Sequence, residues 1–166
     1  MHAIFIDGAN LYAAMKHVPY IIDFKRLLTF AGPDLLRASY YTATLGDSED
    51  YQTNRPLFDW LEYNGYTLVT KQAKTFRDEL TGITKVKGDM DVEIAVDMVV
   101  ASISSKLKEI YLFSGDGDFV PAVKAVQRLC VKVTVISALP VTADEIRRAA
   151  DCFIDLSQMR QLLVKL

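Results

Sequence analysis

Short apolar runs alternate along the chain with stretches in which apolar residues recur at helical spacing. The apolar runs predict strands at 2–7, 35–43, 66–72, 109–114 and 131–138, with a short further run at 152–156. The stretches of helical period predict helices at 23–31, 51–65, 90–107, 119–129 and 142–150, and one more at the C-terminus. Residues 73–88 are polar, basic and glycine-containing, which predicts a loop or a mobile hairpin.

Two of the predicted helices carry clear start signals. Asp23 precedes the first helical stretch as a plausible N-cap, and Gly32-Pro33 ends it. Thr142 is followed three residues later by Glu145, which is the spacing of a capping box. These signals place helix starts at 23 and 142.

The regular alternation of strand and helix predicts an α/β fold. Parallel strands need helical crossovers, so the sheet is expected to be mainly parallel with helices on both faces, a three-layer α/β/α sandwich. A chain of 166 residues is long enough for one such domain, and no repeat, low-complexity segment or linker divides it. We therefore expect a single domain over 1–166.

Composition favours an ordinary globular protein with no membrane association. Half of the residues are hydrophobic, yet no apolar stretch approaches the roughly 20 residues that a membrane-spanning helix needs. The N-terminus lacks a basic leader and a small-residue cleavage site. Cys130 and Cys152 lie in apolar runs and are predicted to be buried free thiols. A cytoplasmic location is the expectation.

Acidic residues follow two of the predicted strands. Asp7 ends the strand at 2–7, and Asp116 and Asp118 come directly after the strand at 109–114. Ligands of open parallel sheets bind beyond the carboxyl ends of the strands, so these carboxylates meet if the two strands are neighbours. The glycines at 8, 115 and 117 would keep the turns tight and leave room for a ligand. A tight turn in which Asp118 only caps the next helix is the alternative.

A fourth carboxylate is expected from the helix at 90–107. Asp91 and Asp97 are six residues apart, which is not one helical face, so one of them is expected to reach the sheet edge. Asp91 is favoured because it lies in the first turn. Asp89 is expected only to cap the helix.

Clustered carboxylates predict a cation. Two like charges about 4 Å apart repel by about 4 kcal/mol at an effective dielectric of about 20, so three or four acids need a metal or must trap protons. Oxygen ligands without cysteine suit Mg²⁺ or Mn²⁺ rather than zinc. The two histidines, His2 and His17, lie away from the acids and offer no credible catalytic base.

A basic run lies between the third strand and the long helix. It contains Lys71, Lys74, Arg77, Lys85 and Lys87 against Asp78 and Glu79. Such a run is either a solvated loop or an edge that faces phosphates. The charge pattern alone leaves both readings open.

The motifs FIDGANL (5–11), KGDMDVEIAVDM (87–98) and FSGDGDFVPAV (113–123) resemble the NYN domain family of PIN-like nucleases, in its LabA-like branch. The resemblance covers essentially the whole chain and implies a PIN-like α/β/α sandwich that cleaves RNA with Mg²⁺ or Mn²⁺. By motif match it makes Asp7, Asp91, Asp116 and Asp118 the catalytic, metal-binding acids. Asn10 and Ser114 are then supporting residues, and Asp97 orients the helix.

The resulting hypothesis is a metal-dependent ribonuclease. The basic run would grip the RNA backbone, and Tyr12 and Phe119 would stack on bases or lie in the core. Single-stranded RNA is favoured because the acids lie in a cleft, and DNA and a second copy of the chain stay open as partners. The alternative is a catalytically silent RNA-binding or regulatory protein. A phosphohydrolase of the haloacid dehalogenase type is disfavoured because Ala9 occupies the position of its second aspartate.

Overall fold

The described chain alternates between short strands and helices. The structure is a computed structural model and describes residues 1–44, 49–77, 84–104 and 106–165. The strands are β1 (His2–Asp7), β2 (Tyr20–Ile22), β3 (Leu35–Thr44), β4 (Tyr66–Gln72), β5 (Lys74–Arg77), β6 (Thr84–Lys87), β7 (Glu109–Phe113), β8 (Lys132–Ser137), β9 (Cys152–Asp155) and β10 (Leu163–Lys165). The α-helices are α1 (Gly8–Met15), α2 (Phe24–Ala31), α3 (Glu49–Tyr63), α4 (Asp91–Ser102), α5 (Val120–Arg128) and α6 (Asp144–Ala149).

A six-stranded sheet with the order β4-β3-β1-β7-β8-β9 forms the centre, and each strand runs parallel to its neighbours. β1 pairs with β3 on one side and with β7 on the other. The strands at 2–7 and 109–114 are therefore neighbours, which is the condition for the acids to meet. The predicted α/β class and parallel sheet are confirmed.

Helices cover both faces of this sheet because its central strands are apolar on both sides. In β1, Ile4 and Ile6 pack with α1, α2 and α3, whereas Ala3 and Phe5 pack with α4, α5 and α6. This alternation is the two-residue period of a strand, and burial on both faces is typical of parallel sheets. The protein therefore has the three layers expected from the sequence.

The N-terminal signals of α2 are as predicted. The Asp23 carboxylate accepts hydrogen bonds from the backbone N–H groups of Lys25 and Arg26, at 2.9 and 3.0 Å. Gly32 ends the helix with a φ of 67°, in the left-handed region that glycine adopts without strain. Local sequence chemistry fixes this helix.

Two elements between β1 and α2 were not predicted. The eight residues of α1 begin directly after β1, and Asp7 caps the helix by accepting a hydrogen bond from Asn10 N–H at 3.1 Å. Such a short helix offers too few turns for a clear period. The three-residue β2 pairs with a strand from the far end of the chain, which no local pattern reveals.

The predicted C-terminal helix is wrong. Short 3-10 turns at 156–158 and 160–162 lead into β10, which pairs antiparallel with β2. Met159, Leu162 and Leu163 are buried in the core cluster that includes Leu27 of α2. Burial of these side chains and pairing with β2 decide the conformation in place of the local helical spacing.

Two helix boundaries also differ from the predictions. The predicted helix at 90–107 ends at Ser102, where the Ser102 hydroxyl donates to Met98 O at 2.7 Å. The serines that follow favour local hydrogen bonds over helix continuation. The capping box is absent, because the Thr142 hydroxyl donates to Ala138 O at 2.8 Å and α6 begins at Asp144.

Between β4 and α4, the hairpin alternative for 73–88 is correct. β5 and β6 pair antiparallel, with Lys74 opposite Lys87 and Arg77 opposite Thr84. Residues 78–83, which connect the two strands, lie outside the described part of the chain, as do Asp78 and Glu79 of the basic run. The basic run is therefore carried largely on two paired strands.

The two cysteines are free, as predicted, but the prediction that both are buried is wrong. Cys130 is exposed and has a φ of 60° at the end of α5, and Cys152 is half-buried. Cys130 lies in the turn after α5, and this position exposes it although its sequence neighbours are apolar. In the part of the chain that the structure describes, no helix has the length and apolar character to cross a membrane.

Candidate metal centre

The predicted acids lie together at the carboxyl edge of the sheet. Asp7 is the last residue of β1, Asp116 and Asp118 lie in the turn after β7, and Asp91 is the first residue of α4. One carboxylate oxygen from each of Asp91, Asp116 and Asp118 lies within 4.8 Å of the other two. We call these three residues the acidic cluster.

Mutual repulsion and burial act on Asp91 of the acidic cluster. At 4.8 Å, two carboxylate charges repel by about 3.5 kcal/mol at an effective dielectric of about 20. Burial raises the pKa of Asp91 to about 6, and the charges of Asp7 and Asp116 add to the rise. The cluster therefore favours any ligand that brings positive charge.

Asp7 adjoins the acidic cluster without belonging to it. Its side chain is 7% exposed, and it accepts hydrogen bonds from Asn10 N–H at 3.1 Å and from the Ser114 hydroxyl at 3.3 Å. Burial raises its pKa, and those two hydrogen bonds oppose the rise. A cavity of about 360 Å³ is lined by Asp7, Asp91 and Asp116 among others. Asp91 and Asp116 therefore belong both to the acidic cluster and to the wall of this cavity.

Asn10 and Ser114 connect the elements that carry the acids. The Asn10 side-chain oxygen accepts a hydrogen bond from Gly115 N–H at 2.8 Å, which ties α1 to the turn after β7. The Ser114 hydroxyl oxygen accepts one from Asp116 N–H at 3.2 Å and, through its proton, reaches Asp7. The two residues thus hold the turn against β1, which is compatible with the supporting role predicted for them.

The turn itself is organised by Asp116. Its carboxylate accepts a hydrogen bond from Asp118 N–H at 2.9 Å and caps the short 3-10 turn at 117–119. Asp118 does not cap α5, which has Phe119 at its N-cap and no side-chain cap. The alternative in which Asp118 serves only as a helix cap is therefore wrong. Its carboxylate is exposed and accepts no hydrogen bond from the first turn of α5.

The remaining acids of the α4 region have other contacts. Asp97 accepts a hydrogen bond from the Tyr41 hydroxyl at 2.7 Å and lies outside the acidic cluster. That contact ties α4 to β3, consistent with a helix-orienting role. Asp89 lines the cavity, and its predicted capping role is wrong because Met90 is the N-cap of α4 and no side chain caps the helix.

Close packing accounts for two glycines of the site. A Cβ added at Gly8 would lie 2.7 Å from the Tyr40 hydroxyl oxygen, and one at Gly115 would lie 2.8 Å from Val141 O. Both distances are shorter than van der Waals contact. These glycines therefore allow close packing against protein neighbours, and the room for a ligand that the sequence suggested stays a prediction.

Sequence reasoning missed two polar residues near the site. Tyr41 is buried, and it donates a hydrogen bond to Asp97, which lies 56 residues away in sequence. Burial, with the charge of Asp97, raises the pKa of Tyr41 above its usual value. Glu145 places its carboxylate against Gly117, where a Cβ would collide with it. A strand's two-residue period could have assigned Tyr41 to the α4 face, but nothing local pointed to Glu145.

Among the predicted RNA-binding residues, Lys71 has a described side chain. Lys71 forms an ion pair with Glu93 at 2.8 Å and also donates to Asp89 O at 3.3 Å. Hydrogen bonding to Glu93 raises the pKa of Lys71 and lowers that of Glu93. Tyr12 is exposed, whereas Phe119 is fully buried and cannot stack on a base. The side chains of the other predicted residues lie outside the described part of the structure: Lys74, Arg77, Lys85 and Lys87.

The donor set of the acidic cluster fits a hard divalent cation. All three side chains offer carboxylate oxygens, and burial together with the neighbouring carboxylates raises the pKa of Asp91. Mg²⁺ and Mn²⁺ prefer such ligands. The roles of Asp7, Asp91, Asp116 and Asp118 in metal binding and catalysis stay predictions.

Comparisons with known proteins identify the family. The sequence pattern of the NYN domain matches residues 2–157. The Low amplitude and bright protein LabA of Synechococcus elongatus is 35% identical over 98% of this chain and 87% of its own length. An uncharacterised protein of Methanocaldococcus jannaschii is 33% identical over 75 residues, which cover 45% of this chain and 31% of that protein.

A solved structure shares the fold. A protein of unknown function from Vibrio parahaemolyticus superposes with a TM-score of 0.78 and 25% sequence identity, covering 98% of this chain and 95% of that one. The predicted resemblance is confirmed over nearly the whole length, and with it the PIN-like α/β/α architecture. The chain belongs to the NYN domain family.

Proposed function

We propose that this protein is a metal-dependent ribonuclease that hydrolyses phosphodiester bonds of single-stranded RNA. The observation that carries the proposal is the convergence of Asp91, Asp116 and Asp118 within 4.8 Å in a chain with an NYN domain. Carboxylates held this close are costly without a cation. Family membership supports a nuclease, and the clustered acids could bind the metal that such a reaction needs.

Asp91, Asp116 and Asp118 would hold Mg²⁺ or Mn²⁺, with Asp7 at the wall of the same cavity. The cation, when bound, acts as a Lewis acid that stabilises charge on phosphate oxygens and lowers the pKa of water. Asp7, Asp91 and Asp116 line this cavity, and Asp118 lies within 4.8 Å of the last two, so a phosphodiester that enters the cavity comes close to all four acids. A single strand fits such a cleft better than a duplex.

The chain's own residues contribute positioning. Asn10 fixes the backbone of Gly115, and Ser114 fixes both Asp7 and the backbone of Asp116. Such contacts keep the carboxylates in place before substrate arrives, which reduces the cost of reorganisation in the reaction. Loss of either contact is expected to raise the activation free energy of RNA cleavage by more than it lowers the free energy of unfolding.

The test is incubation of the purified protein with labelled single-stranded RNA, duplex RNA and DNA, in Mn²⁺, Mg²⁺ or EDTA. We expect cleavage of single-stranded RNA with either metal, none with EDTA, and none by Asp116→Asn. Asp34→Asn removes an exposed carboxyl from the opposite edge of the sheet and serves as the matched control, with wild-type activity.

Each outcome has one meaning. Cleavage that persists in EDTA or in Asp116→Asn would point to a contaminating nuclease and refute the assignment. RNA binding without cleavage under any metal would establish the alternative, a catalytically silent RNA-binding or regulatory protein. Cleavage of DNA at the same rate would broaden the substrate class to single-stranded nucleic acid.

A further inference from the structure

A second cavity, of about 520 Å³, lies on the other side of α1. The cavity of about 360 Å³ beside the acidic cluster, which we call the acidic cavity, is lined by Ala9, Asn10 and Ala13 of this helix. The second cavity is lined by the opposite face of the helix. We call the second space the apolar cavity. The residues of α1 that line it are Gly8, Leu11, Tyr12 and Met15. Lys16 at the end of this helix also lines it, and the other elements contribute Tyr20, Ile21, Ile22, Phe24, Tyr40 and Leu57.

The lining chemistry of the apolar cavity suits a flat aromatic group. Aromatic and aliphatic side chains form most of its surface, and its volume falls within the roughly 300–1,000 Å³ of small-molecule sites. Tyr12 stands at its edge with 68% of its surface exposed. Lys16 places its ammonium 4.5 Å from the centre of the Tyr12 ring, so the edge carries a positive charge. Among the described residues of the lining, none is acidic.

The two cavities share a wall. Gly8 lines the apolar cavity and directly follows Asp7, which lines the acidic one. The Tyr40 ring also lines the apolar cavity, and a Cβ at Gly8 would lie 2.7 Å from its hydroxyl oxygen. Its hydroxyl is protonated at neutral pH, as in any tyrosine, and can donate a hydrogen bond.

We propose that the apolar cavity binds one nucleobase of the same RNA strand whose backbone crosses the acidic cluster. This inference rests on the proposed function. An α-helix with its side chains is about 10–12 Å wide, so neighbouring nucleotides of one strand can lie on its two sides. Apolar walls and aromatic rings provide stacking surfaces for the base, and Lys16 attracts its phosphate. The strand would then cross the solvent-facing side of α1, where Ala9 and Ala13 line the acidic cavity and Tyr12 lines the apolar one.

The experiment compares two probes in EDTA, where no cleavage occurs. One is a single-stranded RNA decamer, and the other is an abasic oligonucleotide with the same sugar-phosphate backbone. Base stacking is worth about 1–3 kcal/mol per base, which at 1.4 kcal/mol per tenfold is about 5- to 150-fold in affinity. Tyr12→Ala should weaken binding of the decamer by that factor and leave binding of the abasic probe unchanged.

Two matched variants control for the ring and for exposure. Tyr12→Phe keeps the stacking face and should retain wild-type affinity for the decamer. Tyr63→Ala removes a tyrosine that is 91% exposed on α3 and does not line the cavity, so its affinity should also equal that of wild type. A decamer that contains 4-thiouridine should crosslink under light to the segments around Tyr12 and Tyr20.

The outcomes separate this inference from the proposed function. If wild type cleaves RNA in Mn²⁺ while Tyr12→Ala binds both probes as wild type does, or crosslinks form only outside the cavity, the nucleobase site is refuted alone. If wild type neither binds nor cleaves RNA, the proposed function fails and the site fails with it. If Tyr12→Ala dissociates a dimer and leaves RNA affinity intact, the cavity binds a second copy of the chain and the inference is overturned.

Discussion

Replacing Asp91 by Asn should stabilise the metal-free protein at neutral pH. Burial and the neighbouring carboxylates raise the pKa of Asp91 from an ordinary 3.8 to about 6. A rise of about two units corresponds to about 3 kcal/mol at 1.36 kcal/mol per unit. Because the side chain is partly exposed, solvent screening reduces the expected gain to about 1–2 kcal/mol.

The sign of this effect depends on pH. A carboxyl whose pKa is higher in the folded state binds protons more tightly there, so it contributes stability below its unfolded pKa and loses that contribution as the pH rises through about 6. The Asn side chain does not titrate. The advantage of Asp91→Asn should therefore be near zero at about pH 3.5 and complete at about pH 7.5.

Urea unfolding in EDTA at these two pH values measures the difference, with Asp34→Asn as the control. In Mn²⁺ at a hundredfold excess over its dissociation constant, wild type should gain about 2.7 kcal/mol and Asp91→Asn should lose most of that gain. A variant that is less stable than wild type in EDTA at neutral pH would show that the Asp91 carboxylate supports the fold. A variant that keeps the whole Mn²⁺ gain would show that it is no ligand. Either result refutes the reasoning.

Three further predictions follow from individual contacts. Gly8→Ala should lower the free energy of unfolding in urea by about 1–3 kcal/mol, because the new methyl group would lie 2.7 Å from the Tyr40 hydroxyl oxygen. Adding Tyr40→Phe should recover part of this loss. If it recovers none, the clash lies elsewhere. Tyr41→Phe should cost about 1.5–3 kcal/mol by removing the hydrogen bond to Asp97 but leave the Mn²⁺ gain unchanged; a reduced gain would make Asp97 part of the site. Lys71→Ala should leave the salt dependence of RNA binding unchanged because an ion pair neutralises its charge, whereas a slope lower by about 0.7 would make it a phosphate contact.

The sheet and the position of the acids were predictable because their causes are local. Apolar runs such as the one in β1 are buried on both faces, and only a parallel sheet with helices on both sides provides that environment. Asp7 and Asp116 each follow such a run, so their meeting required one further condition, that β1 and β7 are neighbours. Chain order alone left that condition open.

The parts that were not predictable depend on distant partners. The residues of β10 have helical spacing, and they form a strand because β2 lies beside them. Likewise, Asp97 of α4 is engaged by a hydrogen bond from the Tyr41 hydroxyl of β3, which distinguishes it from Asp91. Glu145 matched a capping box in sequence, yet its carboxylate lies against Gly117. Such contacts follow from tertiary packing, which local propensity does not record.

The pairing of β2 with β10 has a consequence for how the chain folds. Leu163 pairs with Ile22 across roughly 140 residues of intervening chain, so β2, which forms one wall of the apolar cavity, stays unpaired until the last part of the described chain has been synthesised. Until then, the backbone groups of β2 lack their partner and present an open edge to other chains. A growing polypeptide on the ribosome could form its central strands early, while this corner would mature late and would be the place where a chaperone or a neighbouring nascent chain gains access.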